Sequence, residues 1–149
     1  MSKIIKLILI TFVIASCFAN SACRPKEPDK IIGKWERFDD SAEGTRVEVV
    51  LVGDQANEYQ ARLIHLEGIL IDLGFKKDEI KWKSITKKNK DYYLAEDLLK
   101  ATNEQEEIAF SRYDDVYIEM VSDDILHIKG FAEAEEALGT EQKWRRIDY

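Results

Sequence analysis

Short runs of alternating apolar and polar residues recur along most of this chain. In one of them, Val47, Val49 and Leu51 alternate with Arg46 and Glu48. Because successive side chains of a strand point to opposite faces, this alternation places one set against a core and the other in water. Clusters of Asp, Asn, Ser, Lys and Gly between the runs are typical of hairpin turns. The pattern predicts eight or nine strands, at 31–39, 45–53, 58–66, 79–87, 91–100, 108–113, 116–122, 125–131 and 140–148.

The strand pattern fills one stretch, residues 31–149, that contains neither proline nor cysteine. Its length suits a single compact domain, and short hairpin-linked strands favour an all-β, up-and-down antiparallel barrel of about eight strands. Residues 68–75 are too apolar for a free loop, so we expect a loop, short strand or helical turn that covers an open edge or end. Residues 132–138 are strong helix formers followed by Gly139, which predicts a short helix or ordered loop before the last strand.

The N-terminus has the layout of a secretory signal peptide, predicted over residues 1–16. Lys3 and Lys6 precede an apolar run, and small residues follow it. The run is shorter than the roughly 20 residues that a membrane-spanning helix needs, so a retained transmembrane anchor is the weaker interpretation. The chain is therefore expected to be exported.

Both cysteines lie close behind this run. The four residues that end at Cys17 resemble a bacterial lipobox, in which the cysteine is lipidated and becomes the mature N-terminus. Cys23 is a second candidate, and cleavage after Ala19 or Ala22 without a lipid is the third alternative. Several acyl chains on one cysteine hold a protein stably on a membrane. We therefore predict a lipid anchor at Cys17 and a charged, proline-containing tether over 17–30. The expected location is a membrane of the cell envelope, or the periplasm if the chain is not lipidated.

Composition excludes several function classes. The chain carries 22 Lys and Arg against 29 Asp and Glu, a net charge of −7, and phosphate backbones require a basic surplus, so nucleic-acid binding is not expected. The two histidines, His65 and His127, have no metal-ligand spacing and no cysteine partner within the domain. Neither a Gly-x-Ser-x-Gly motif nor a glycine-rich phosphate loop is present. We therefore predict a non-enzymatic protein without metal or cofactor.

The two ends of the predicted domain resemble a known family. Gly33 and Trp35 resemble the Gly-x-Trp signature of the lipocalin and calycin superfamily, and Trp144, Arg145 and Arg146 resemble the closing strand of small bacterial lipocalin-like domains. The resemblance implies one lipocalin-like barrel whose first-strand Trp35 packs at the closed end, with Arg145 or Arg146 across its face. A guanidinium over an indole is a favourable cation–π contact that joins first and last strands. Because side chains alternate, Arg145 points away from Trp144.

Aromatic residues on separate predicted strands indicate where a ligand could bind. A barrel of eight strands holds either packed side chains or one small molecule. If the interior is open, these residues would line it and the ligand would be largely apolar. They are Tyr59, Trp82, Tyr92, Phe110 and Tyr117, of which Trp82, Tyr92, Tyr59 and Phe110 form the predicted ligand-binding set.

The predicted function is thus an exported lipoprotein whose barrel binds a small apolar ligand. If the barrel is filled, the alternative is a protein-interaction or inhibitor module of the cell envelope that uses loops such as 39–45 and 67–78. Charge is also uneven, since 76–90 is rich in lysine and 104–124 is rich in acids. These segments form either solvated strand faces or a dipolar surface that steers a charged partner.

Overall fold

The computed structural model describes residues 27–53, 57–105, 107–131 and 141–148. Within these ranges each strand pairs antiparallel with the next, and the first also pairs with the last. The sheet therefore closes into an up-and-down barrel of eight strands, which confirms the predicted fold class. The strands are β1 (Gly33–Phe38), β2 (Arg46–Leu51), β3 (Glu58–His65), β4 (Ile80–Lys87), β5 (Tyr92–Thr102), β6 (Ile108–Met120), β7 (Ile125–Gly130) and β8 (Gln142–Arg146).

Alternation in the sequence explains how the wall is built. Val47 and Val49 of β2 are fully buried and pair with Leu63 and Ala61 of β3, which are buried as well. The polar residues between them point outward. Barrel closure follows the same rule, since Trp35 of β1 lies opposite β8 with its side chain in the core. Burial of these apolar faces is the main favourable contribution to folding.

One predicted turn is wrong. The expected strands 108–113 and 116–122 form a single strand, β6, which runs through Asp114 and Asp115. Both residues pair with β5 in the ladder, and Arg112 lies 2.9 Å from the Asp114 carboxylate. Consecutive aspartates usually favour turns, but here the long partner strand and the neighbouring guanidinium keep the backbone extended.

Different segments cover the two ends of the barrel. We call residues 27–32 the strap, because they contact β3, β4, β5 and β8 at the end where β1 begins. We call residues 66–79 the cap segment; it contains the helix α1 (Ile69–Asp72) and buries Leu70 and Phe75. Gly68 has φ +57°, and a Cβ there would lie 2.1 Å from the carbonyl oxygen of Ser41. The cap segment therefore requires glycine at this position.

Several predictions fall outside the described residues. These are the signal peptide at 1–16, the lipidation candidates Cys17 and Cys23, and the short helix or loop at 132–138. In the ranges that are described, no helix has both the length and the apolar character needed to cross a bilayer.

Candidate functional site

Large side chains fill the middle of the barrel. Trp35, Trp82, Trp144 and Tyr93 are each 0% exposed, so water has no access to any of the four. The rings of Trp82 and Trp144 pack edge to face with their centroids 4.9 Å apart, a favourable geometry for aromatic pairs. No space for a ligand therefore adjoins these four side chains.

The structure does not bring the four predicted ligand-binding residues together. Trp82 and Tyr59 point into the barrel and are buried. Tyr92 instead lies on the outer wall, where its ring stacks on Tyr117 with a centroid distance of 5.3 Å. Phe110 lies on the part of β6 that extends past β7 and is 42% exposed. The expected aromatic lining is thus split between the interior, the outer wall and the rim.

The inward face of β5 is the opposite of the one that the alternation suggested. Tyr93, Ala95 and Asp97 point inward and are buried, whereas Tyr92 does not. Alternation in this part of the sequence favours a core face that contains the apolar Tyr92 and Leu94, but the true core face includes the carboxylate of Asp97. That carboxylate needs a partner inside the barrel.

A bulge in β4 supplies this partner. Trp82 pairs with Ala61, yet Ile80 pairs with the next residue of β3, so Lys81 is an extra residue in β4. Lys81 and Trp82 are consequently both buried, although the alternation predicts opposite faces for them. Bulges commonly redirect one side chain in this way.

Lys81 and Asp97 form an ion pair inside the barrel, with side chains 2% and 0% exposed. The Lys81 ammonium also donates to the Leu98 carbonyl at 2.7 Å, and the Gln142 amide donates to Asp97 at 2.9 Å. Burial lowers the pKa of Lys81, although the Asp97 carboxylate acts in the opposite direction. Since no solvent reaches the pair, it influences stability rather than contacting a solute.

Three buried polar atoms complete this interior cluster. The indole nitrogens of Trp82 and Trp144 and the amide oxygen of Gln142 have no hydrogen-bond partner among the described residues. Two donors and one acceptor left in this way add to the cost of burying polar groups in the barrel.

The strap covers the end of the barrel where β1 begins, through contacts with Trp35 and Arg146. The Arg146 guanidinium carbon lies 4.3 Å from the centroid of the Trp35 ring. The guanidinium also donates to the carbonyls of Lys30 and Ile32, and the Trp35 indole donates to the Ile31 carbonyl at 2.9 Å. Of the two arginines left open by the sequence, Arg146 therefore lies on the indole. Arg145 points outward and pairs with Glu36 at 2.5 Å.

Asp29 fastens the strap to three strands. Its carboxylate accepts hydrogen bonds from Lys87 at 2.8 Å, from the Tyr59 hydroxyl at 3.3 Å and from the Tyr93 hydroxyl. Burial would raise the pKa of this carboxyl, but the bonds from Lys87 and Tyr93 outweigh it and leave the pKa below its usual value. Burial and the adjacent carboxylate raise the pKa of Tyr93. Asp29 lies within the predicted tether, 17–30, and its carboxylate is bonded to side chains of the barrel wall.

A cavity of about 440 Å³ lies between the strap and the strand ends above it. Its apolar surface comes from Ile32, Leu51 and Tyr59, and Leu51 remains 44% exposed. We call this space the strap cavity. Ligand-binding pockets commonly measure roughly 300–1,000 Å³ and combine apolar walls with a few polar groups. Tyr59 is the one predicted ligand-binding residue that lines it.

Each histidine lies beside one glutamate carboxylate. His65 is 2.9 Å from Glu67, and His127 is 2.7 Å from Glu141. Among the residues that the structure describes, no three His, Cys, Asp or Glu side chains are grouped so that they could hold a metal ion.

Comparisons with protein-family models, curated proteins and solved structures return no match for this chain. The class of protein is therefore defined by its architecture, a closed eight-stranded antiparallel barrel. Its function has to be inferred from its own residues.

Proposed function

We propose that this chain is an exported lipoprotein, anchored through Cys17, whose lipocalin-like barrel binds a small apolar molecule and catalyses no reaction. The single observation behind the proposal is the strap cavity, which offers an apolar surface of Ile32, Leu51 and Tyr59 in a space of ligand size. Because tryptophans fill the middle of the barrel, the proposed binding site is this end cavity rather than the barrel axis.

Two features support the lipocalin-like and lipoprotein parts of the proposal. The guanidinium of Arg146 lies across Trp35, which is the arrangement that the resemblance implied. The strap leaves the barrel toward the N-terminus, so an acylated Cys17 would be only ten residues from Glu27. At roughly 3.5 Å per extended residue, that distance is at most about 35 Å, which keeps the strap cavity close to a membrane.

Lipidation is tested by growing cells with labelled palmitate. We expect the label in the wild-type protein and in the Cys23→Ala variant, and its loss in Cys17→Ala. A label that disappears only in Cys23→Ala would assign the anchor to Cys23. No label in any of the three proteins would refute the lipoprotein proposal.

Ligand binding is tested with the full chain in phosphatidylcholine vesicles and a panel of photoreactive apolar probes that differ in head group. We expect crosslinks to peptides that line the strap cavity. Leu51→Trp should fill the cavity and remove them, whereas Val121→Trp should not. Both residues are exposed, at 44% and 55%, so both variants should fold. If no probe of the panel crosslinks to peptides that line the strap cavity, the proposal is refuted.

The interaction module remains a second candidate, favoured by exposed apolar side chains at the cap end. Ile69 and Ile71 of α1 and Ile108 of β6 are all about half exposed. Ile108 touches the cap segment, since its Cδ1 would lie 3.0 Å from a Cβ at Gly74. In-cell crosslinking of Ile71→Glu and Ile108→Glu, with Val121→Glu as control, tests this surface. A partner lost in the first two variants only would support the module, and an unchanged crosslink pattern would refute it.

A further inference from the structure

We infer that the strap cavity takes an anionic amphiphile, a molecule with one apolar chain and one carboxylate or phosphate head. This inference rests on the proposed function and narrows its ligand class. The apolar chain would lie against Ile32 and Leu51, and the head would lie at the rim, where lysines are grouped.

The charges that line the cavity are not balanced. Lys30, Lys87 and Lys90 line it together with Glu27 and Asp29. Asp29 is already saturated, because it accepts hydrogen bonds from Lys87 and from two tyrosine hydroxyls. It therefore neutralises Lys87. Lys30 has its carboxylate partner, Asp123, outside the lining, and Glu27, an exposed residue at the start of the strap, is the one lining carboxylate left for Lys90.

The two remaining lysines are accessible to an incoming anion. No described carboxylate forms an ion pair with Lys90, although its charge helps to lower the pKa of the exposed Asp123. Lys30 pairs with Asp123 at 2.5 Å, but these side chains are 41% and 77% exposed. An exposed pair of this kind contributes little to stability, because water and salt screen the attraction between its charges. An anion held partly out of water by Ile32 and Leu51 can compete for that ammonium.

The surroundings make this local positive charge selective. The whole chain carries −7, so anions are repelled from most of its surface. Lys87, Lys88 and Lys90 are grouped at the turn between β4 and β5, beside the cavity. A basic rim on an acidic protein attracts anionic ligands to that rim. A neutral lipid would gain the apolar contacts but not this attraction.

The test uses the full chain in phosphatidylcholine vesicles with four photoreactive probes that share one alkyl chain. Their heads are a carboxylate, a phosphate, an alcohol and a quaternary ammonium. We expect the two anions to label peptides containing 27–32 and Leu51 about tenfold more than the other two, the ratio expected for one charge-assisted contact. Lys90→Gln should remove most of this preference, while Lys77→Gln, in the cap segment at the other end, should keep it.

Further arms identify the source of the ligand. If phosphatidylglycerol added to the vesicles lowers the labelling, the site accepts bilayer lipid; if it does not, the site accepts a monomer from water. Both results support an anionic amphiphile. Complete competition by inorganic phosphate would overturn it, because the apolar chain would then be irrelevant.

Two results separate this inference from the proposed function. Equal labelling by alcohol and carboxylate probes, or an unchanged preference in Lys90→Gln, would overturn the anionic class and leave apolar binding intact. Labelling that never reaches the cavity peptides, in a protein whose melting curve shows it folded, would overturn both.

Discussion

The ion pair inside the barrel gives the sharpest stability prediction. Lys81→Met keeps most of the aliphatic chain but leaves the Asp97 carboxyl buried without its ammonium partner, with Gln142 as its remaining side-chain donor. Breaking one partner of a buried pair costs about 3–5 kcal/mol. For an m-value of about 1.5 kcal/mol/M, the urea midpoint should fall by roughly 2–3 M. Asp97→Asn should cost a similar amount, because it leaves an ammonium without a counter-charge.

The double variant Lys81→Met/Asp97→Asn should recover most of this loss. With both charges gone, the new amide can still accept from Gln142 and can also donate to its amide oxygen, which has no partner among the described residues. We expect the double variant to lie within about 2 kcal/mol of wild type, since replacing a whole buried pair is often nearly neutral. Urea unfolding of all four proteins at pH 7 closes the cycle. Additive losses, or single variants that cost under about 1 kcal/mol, would refute the reasoning.

Three further predictions concern the ends of the barrel. The pKa of Asp29 is lowered from 3.8, so its contribution to the free energy of unfolding is complete above pH 3.8 and is lost as the pH falls through the folded-state pKa. Asp29→Asn should therefore lower the urea midpoint at pH 7 and make that midpoint less dependent on pH in the acid range. Gly68→Ala should destabilise the protein by well over the roughly 1–2 kcal/mol that a left-handed alanine costs, because its Cβ would lie 2.1 Å from the Ser41 carbonyl oxygen. Gly53→Ala has a similar φ of +56° and no described atom within 4 Å, so it should cost only the backbone strain. Equal melting temperatures for the two variants would contradict this. Arg146→Lys keeps the charge but loses the planar fork, and should cost about 1–3 kcal/mol by urea unfolding; no loss would show that the indole contact is unimportant.

The alternation predicts the barrel well because most strands have one apolar face. In β2, the alternation predicts that Val47 and Val49 face the core, and both are buried. The prediction failed where a strand buries a charge. Asp97 made the inward face of β5 look polar, and the bulge at Lys81 broke the period in β4. Neither can be recognised in the sequence, because each residue is tolerated inside only when the other is present.

The strap cavity was missed for a different reason. Asp29 lies in a charged, proline-containing stretch that has the composition of a solvated linker. Its role depends on Tyr59, Lys87 and Tyr93, which are 30 to 64 residues away along the chain. The one local signal was the apolar pair Ile31 and Ile32 before Gly33, which extends the folded segment toward the N-terminus.

The attachment of the strap decides how the barrel would respond to mechanical force. A pull on the N-terminus first meets the Asp29 carboxylate and then the backbone carbonyls of Lys30 and Ile32 that Arg146 holds. Because the strap contacts β3, β4, β5 and β8, we expect these four strands to share the tension. The strap would therefore spread a force applied to the N-terminus over several strands of the barrel.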